Sequence, residues 1–210
     1  MKKDLTVLKA IIKADYNRHI KKFQTIKEQK DIVLFGDSMM AYFPVTKLNL
    51  TKKIHNLGIP GDTTDGLLNR LNQVIRLKPK YVFVNVGLND LVLTNNTHQK
   101  SIENMMLIRH ELLEKLHDTK IYFFTLTPIN QKDFSHDAYV LKRNKEDIIT
   151  MNHLMNKHLG DDVINLYQHL SDENHELIRN YTKDGIHVNE LGYQYYLKAI
   201  KNKTNIDDLK

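Results

Sequence analysis

The sequence predicts an α/β fold in three layers: a five-stranded parallel sheet with helices on both faces. Five short apolar runs alternate with amphipathic stretches of helical period, the pattern of repeated βα units. The runs are apolar almost without interruption, as in Tyr81-Val82-Phe83-Val84-Asn85-Val86, which suits strands covered on both faces. Right-handed crossovers follow from chain chirality, and ligands in such sheets sit beyond the carboxyl ends of the strands.

Residues 5–29 open the chain with Leu8, Ile12, Tyr16, Ile20, Phe23 and Ile26 at intervals of three and four. That is one face of a helix, expected to pack on the flank of the domain, since His19 and Gln24 dilute the lysines of its other faces. An oligomer or membrane-surface contact is the alternative. We therefore divide the chain into an N-terminal amphipathic helix, residues 1–30, and the α/β domain proper, residues 31–205, as one domain overall. Ile32-Val33-Leu34-Phe35 is the first strand and ends in Gly36-Asp37-Ser38. Ile54 to Leu57 is the second and ends in Gly58-Ile59-Pro60-Gly61. Asp62, Thr63 and Thr64 are capping types, and one helix is expected after them with Leu67, Leu68, Leu71 and Val74/Ile75 inward.

The third strand, 81–86, stops at Gly87-Leu88-Asn89-Asp90. A long helix is predicted over 98–117, with Ile102, Met105/Met106, Ile108/Arg109, Leu112/Leu113 and Leu116 as its stripe. Ile121 to Leu126 is the fourth strand, stopped by Pro128. Residues 129–140 read as a loop, 141–158 as a helix and Val163 to Leu166 as the fifth strand. Asp184-Gly185-Ile186-His187 reads as a turn, and Asn189 caps a last helix over 190–202. No internal repeat, low-complexity tract or linker interrupts the series.

Composition narrows the function. The 210 residues suit one domain, for which roughly 100–200 are typical. They are 41% hydrophobic and 27% charged, which excludes wholesale disorder. The absence of cysteine excludes a disulfide scaffold, a thiolate metal site and a cysteine nucleophile, and leaves the redox compartment open. The net charge of +6 is spread along the chain. Its densest cluster, Lys198, Lys201 and Lys203, has no aromatic interleaving, so no nucleic-acid partner is expected. No apolar run reaches the roughly 18 residues of a membrane span. Lys9, Lys13 and Asp15 break any signal-peptide core, so we expect no export signal and a cytoplasmic location.

The strand ends and the last turn gather a hydroxyl, a carboxamide, a carboxylate, an imidazole and glycine N–H donors: the parts of acyl transfer by a serine nucleophile. A serine hydroxyl is a poor nucleophile at neutral pH and needs a base, for which His187 is the candidate. Asp184, three residues earlier, can hold the imidazole in the right tautomer. The N–H groups of Ser38 and Gly61 and the amide of Asn89 are candidate donors to an oxyanion. Asp37 is expected to make structural hydrogen bonds rather than serve as the triad acid. Asp90 is expected to brace the loop that aims Asn89. Asp62 is expected to cap the next helix, with a substrate contact as its other reading.

These residues resemble the blocks of the SGNH superfamily of GDSL-type esterases and lipases, closest to its platelet-activating-factor acetylhydrolase-like branch. The resemblance covers about residues 31–202. Gly36-Asp37-Ser38 stands at the nucleophile block, Asn56-Leu57-Gly58-Ile59-Pro60-Gly61 at the second, Gly87-Leu88-Asn89-Asp90 at the third and Asp184-Gly185-Ile186-His187 at the fifth. Val188-Asn189-Glu190-Leu191-Gly192-Tyr193 resembles the start of the family's last helix. The resemblance implies a flavodoxin-like SGNH-hydrolase fold, Ser38, His187 and Asp184 as the triad, and Ser38, Gly61 and Asn89 as the oxyanion hole. The family most often has Leu or Ile and then Thr after the serine; here Met39 and Met40 stand in those places, and they are expected to pack and to line the entrance.

Other readings fail on their motifs. Gly36 stands alone where a dinucleotide site needs Gly-x-Gly-x-x-Gly, and neither a P-loop nor a Gly-x-Ser-x-Gly elbow occurs. Among 11 histidines there is no His-Glu-x-x-His, and His153 and His158 are five apart. We thus expect an ester hydrolase without metal or cofactor, acting through an acyl-serine on a small-molecule ester, an acylated sugar or a lipid, with short acyl groups favoured. An acyltransferase with the same site and a non-catalytic binding module on the same scaffold are the rivals. The oligomeric state stays open, a homo-oligomer included.

Overall fold

A computed structural model describes residues 2–204, and for residues 2–9, 11 and 12 the backbone only. The side chains of Leu8 and Ile12 on the predicted helical face, and residue 205 at the predicted domain end, therefore lie outside what it describes. The elements in order are α1 (Lys2–Gln24), β1 (Ile32–Gly36), α2 (Ser38–Ala41), β2 (Ile54–Gly58), α3 (Thr64–Leu68), α4 (Asn72–Ile75), β3 (Tyr81–Asn85), α5 (Asp90–Leu93), α6 (His98–Lys115), β4 (Lys120–Phe124), α7 (Ala138–Leu141), α8 (Lys145–Leu159), β5 (Val163–Ile164), α9 (Tyr167–Leu170) and α10 (Glu190–Lys203).

The five strands are all parallel and lie in the order β2-β1-β3-β4-β5. The order reverses between β1 and β3, which opens a crevice beyond their carboxyl ends. Gly36 is level with both Gly58 and Asn85, so the segments leaving β1, β2 and β3 emerge side by side. Alternate strand residues fill two separate cores. Val33, Phe35, Val82, Val84, Ile121 and Phe123 face the layer formed by α1, α3, α4, α6 and α8. Ile32, Leu34, Phe83 and Phe124 face α2, α9 and α10. Both faces are dry, which is why the strands read as unbroken apolar runs. Burying each such side chain stabilises the fold by roughly 1.5–3 kcal/mol.

Helix α1 stops at Gln24, short of Ile26, and α8 begins at Lys145 rather than at 141; three further elements differ from expectation. The single helix predicted after Gly61 is two short ones, α3 and α4, with Arg70 turned into the interior between them. The predicted loop at 129–140 ends in α7, where Asp137 accepts from Tyr139 N–H and Val140 N–H. The fifth strand is only Val163–Ile164, because the Thr125 hydroxyl takes the N–H groups of Leu166 and Tyr167 at 2.9 and 3.1 Å in place of a ladder. The last helix starts as read, with Asn189 accepting from Leu191 and Gly192. Helix α1 packs through Phe23, Tyr16 and Ile20 on the first core, and the Tyr16 hydroxyl donates to Gly66 O at 3.2 Å. Its end is tied by Arg76, which donates to the carbonyls of Phe23 and Gln24.

Candidate active site

Ser38 is the first residue of α2, immediately beyond β1. The turn is held from four sides. Asp37 caps α2 by accepting from Met39 N–H at 2.9 Å, Asn56 donates to Met40 O at 2.6 Å, and the Tyr193 hydroxyl donates to Met39 O at 2.8 Å. Gly58 lets α2 lie directly on β2: a Cβ there would sit 2.1 Å from Ala41 N. The helical turn aims Met39 and Met40 back into the second core, where both are buried. They line neither cavity at the site, a correction to the expectation that they line the entrance.

His187 meets Ser38 from the other end of the chain. Its Nε2 lies 3.0 Å from Ser38 Oγ, and its Nδ1 lies 2.7 Å from Asp184 Oδ2. The other Asp184 oxygen accepts from the N–H groups of Ile186 and His187 at 2.9 and 2.8 Å. Burial pushes the Asp184 carboxyl up, but hydrogen bonds from the His187 ring and these amides outweigh it and hold the group well below the ordinary carboxylate range. Thr182 closes the turn: its hydroxyl accepts from Gly185 N–H at 2.9 Å and donates to His187 O at 2.8 Å. The Tyr42 ring stands edge-on to the imidazole with centroids 5.1 Å apart. With the Nδ1 proton committed to Asp184, Nε2 can accept the hydroxyl proton.

The third group lies on the loops after β2 and β3. Gly61 takes φ +79°, a conformation that favours glycine. Among the described residues, the N–H groups of Ser38 and Gly61 donate to no protein acceptor. The Asn89 amide donates one hydrogen to Asp62 O at 3.0 Å, leaving its second hydrogen for a ligand. Asp90, fully buried, accepts from the N–H and hydroxyl of Thr64 and from Asn96; it ties the loop after β3 to the start of α3.

Asp62 does not cap α3. Thr63 does, accepting from Gly66 N–H, while the Asp62 carboxylate turns inward to Arg70 Nε at 2.7 Å. Arg70 is buried, and its other nitrogens donate to Leu57 O at 2.7 Å and Gly36 O at 3.0 Å. One guanidinium thus ties the ends of β1 and β2 to the loop that holds Asn89. Burial raises Asp62 to about 6 against the pull of Arg70. Sequence reasoning misses Arg70, Thr182 and Tyr42. Arg70 looks like any helical surface arginine, and the one signal for Thr182 is a hydroxyl residue entering a turn.

Asp37 carries a pH signature. Burial, only partly offset by Met39 N–H and His187, raises its carboxyl from 3.8 to about 7. The native state holds that proton longer than the unfolded chain does. The stability is therefore fully present below the unfolded value and is lost as pH rises through about 7. Asp37→Asn keeps an acceptor for Met39 and removes the titration. Its melting temperature relative to the unsubstituted protein is expected to rise from about pH 4 to about pH 8, by the equivalent of about 2–4 kcal/mol. A difference that stays flat across that range would refute the shift.

A parallel sheet in this order, with serine, glycine, asparagine and histidine converging at the reversal of strand order, defines the three-layer SGNH-hydrolase fold. Residues 34–195 match the GDSL-like Lipase/Acylhydrolase family, and the chain belongs to that family. A protein of Streptococcus pneumonia, described provisionally as a platelet activating factor, superposes with a TM-score of 0.85 at 23% identity, over 96% of this chain and 98% of that one. A GDSL-like lipase of Bacteroides thetaiotaomicron does so with a TM-score of 0.73 at 21% identity, over 92% and 98%. Among curated proteins, the N-acylneuraminate cytidylyltransferase of Escherichia coli is 27% identical over 185 residues, which are 85% of this chain and 41% of that protein.

Proposed function

We propose that the protein hydrolyses carboxylic esters through an acyl-serine intermediate, with Ser38 as nucleophile, His187 as acid and base, and Asp184 as the group that orients it. The observation that carries this reading is the continuous hydrogen-bonded path from Ser38 Oγ through the His187 ring to Asp184 Oδ2, with steps of 3.0 and 2.7 Å. In the first half-reaction Ser38 Oγ attacks the ester carbonyl carbon and its proton passes to His187 Nε2. The oxyanion is held by the N–H groups of Ser38 and Gly61 and by the second Asn89 hydrogen. His187 returns the proton to the departing alkoxide. Water then repeats the sequence on the acyl-serine, with His187 again as base, and releases the acid.

A cavity of about 450 Å³ opens over Ser38, between Gly61, Asn89, Val92, Leu93 and Ile186. We propose a short acyl group, with a sugar, a lipid head group or a small metabolite as the alcohol portion. The test is hydrolysis of p-nitrophenyl acetate and p-nitrophenyl octanoate, with fluorophosphonate labelling of Ser38. We expect labelling and faster turnover of the acetate. Folded protein that neither labels nor hydrolyses either ester would overturn the reading. An added alcohol that captures the acyl group in preference to water would turn it into an acyltransferase.

The oxyanion role has its own test. Asn89→Ala is expected to lower kcat by roughly 10²–10³-fold while the protein stays folded at assay temperature. If the variant melts instead, Asn89 serves as a structural link to Asp62, and the oxyanion role falls.

A further inference from the structure

The lining of this cavity also includes α7 and its flanks, with Asp137, Tyr139, Lys142 and Arg143, and Asp15 of α1. Arg143 stands out among them. Its Nη1 donates to Tyr139 O at 2.6 Å, whereas its Nε is buried and has no hydrogen-bond partner among the described residues. Among the described residues, no carboxylate lies within 4.0 Å of its guanidinium. A guanidinium is always charged, and this one feels Asp37, Asp137 and Asp184 only beyond ion-pair distance; a partly buried cation without a paired anion is costly to keep.

The acids of the same cavity are each engaged already. Asp184 holds the His187 ring at 2.7 Å. Asp137 accepts from two N–H groups of α7. Asp15 pairs with Arg18 and, at 3.3 Å, with His19. The neighbouring Lys142 adds a second positive group, lying over the Tyr139 ring at 5.4 Å. What the cavity lacks is an anion with two acceptor oxygens for the free edge of Arg143.

We propose that Arg143 is a substrate-binding residue for a carboxylate carried by the ester, so that the preferred substrate is a carboxylated ester rather than a neutral one. This rests on the proposed ester hydrolysis at Ser38. The carboxylate would accept from Nη2, and from Nε once a small rotation of the guanidinium opens that buried nitrogen, giving the fork geometry that guanidinium offers and ammonium does not.

The test compares 3-acetoxybenzoate with 3-acetoxybenzamide, which differ in the anion alone, and mono-p-nitrophenyl glutarate with p-nitrophenyl butyrate. The first pair places the carboxylate on the alcohol side and the second on the acyl side. In one pair or the other, kcat/KM is expected to favour the anion by roughly tenfold or more. Arg143→Gln is expected to abolish that ratio and Arg143→Lys to keep part of it. No preference in either pair, or a preference that survives Arg143→Gln, overturns the proposal. Binding of both acetoxy compounds, of the glutarate and of the butyrate is also measured on Ser38→Ala protein by calorimetry, with and without Arg143→Gln. Tighter binding of the anion, lost with Arg143→Gln, would uphold the carboxylate site even if the unsubstituted protein hydrolysed no ester, in which case the proposed reaction alone would fall. Equal binding of acid and neutral analogue would overturn the site.

Discussion

Ser38→Ala is expected to lower kcat for p-nitrophenyl acetate by roughly 10⁶-fold and to leave the melting temperature nearly unchanged. The two expectations come from different parts of the site. Among the described residues the hydroxyl makes one hydrogen bond, to His187 Nε2, so its removal costs at most about 1 kcal/mol of stability. The backbone that holds the residue is fixed by Asp37, Asn56, Gly58 and Tyr193, none of which touches Oγ. Chemistry, by contrast, has no substitute for it. No cysteine exists in the chain, and the remaining donors can only polarise an ester toward slow attack by water.

A double substitution sharpens the result. His187→Ala alone should cost nearly as much as Ser38→Ala, and the pair together no more than either, because residues that act as one unit lose their effect once. If the two losses multiply instead, Ser38 and His187 act independently, and the proton path read from the 3.0 Å contact is wrong.

The part of this site that is legible in the sequence consists of residues whose chemistry is announced by local context. Ser38, Gly61 and Asn89 each stand just beyond an apolar strand, and Asp184 and His187 share one turn. The five strands are legible because both faces of the sheet are covered, so each strand is a short apolar burst. What is not legible depends on side chains reaching across the fold. Arg70 lies 34 residues from Gly36, whose carbonyl it holds. Thr125 ends β5 from 41 residues away through Leu166 N–H. Met39 and Met40 suggest an apolar entrance only if the chain stays extended past Gly36, whereas capping by Asp37 starts a helix and turns both side chains inward. The split of the helix after Gly61 has the same origin. Arg70 is pulled inward by Asp62, and the continuous periodicity of Leu67, Leu71 and Val74 conceals the break.

The largest effect on folding should come from Arg70→Met. Methionine fills much of the same volume but removes the ion pair with Asp62 and the bonds to Leu57 O and Gly36 O. It leaves a carboxylate buried with no cation. Breaking one side of such a pair costs roughly 3–5 kcal/mol, which for a chain of this size is on the order of 10 °C in melting temperature. Two features separate this cause from a mere packing defect. First, the loss must depend on pH. Without Arg70 the Asp62 carboxyl, already raised to about 6 by burial, rises further above its unfolded value. Its contribution is then fully present in acid and lost as pH climbs through the raised value, so the deficit of the variant should be smaller near pH 5 than near pH 8. A cavity would cost the same at both. Second, Asp62→Leu in the Arg70→Met background should restore part of the stability, since it removes the stranded charge. Activity should not return with it in proportion. The loop whose Asp62 carbonyl receives the Asn89 amide is held in place by this guanidinium, so a stable double variant that has lost kcat would show that Arg70 positions the oxyanion donors as well as the fold.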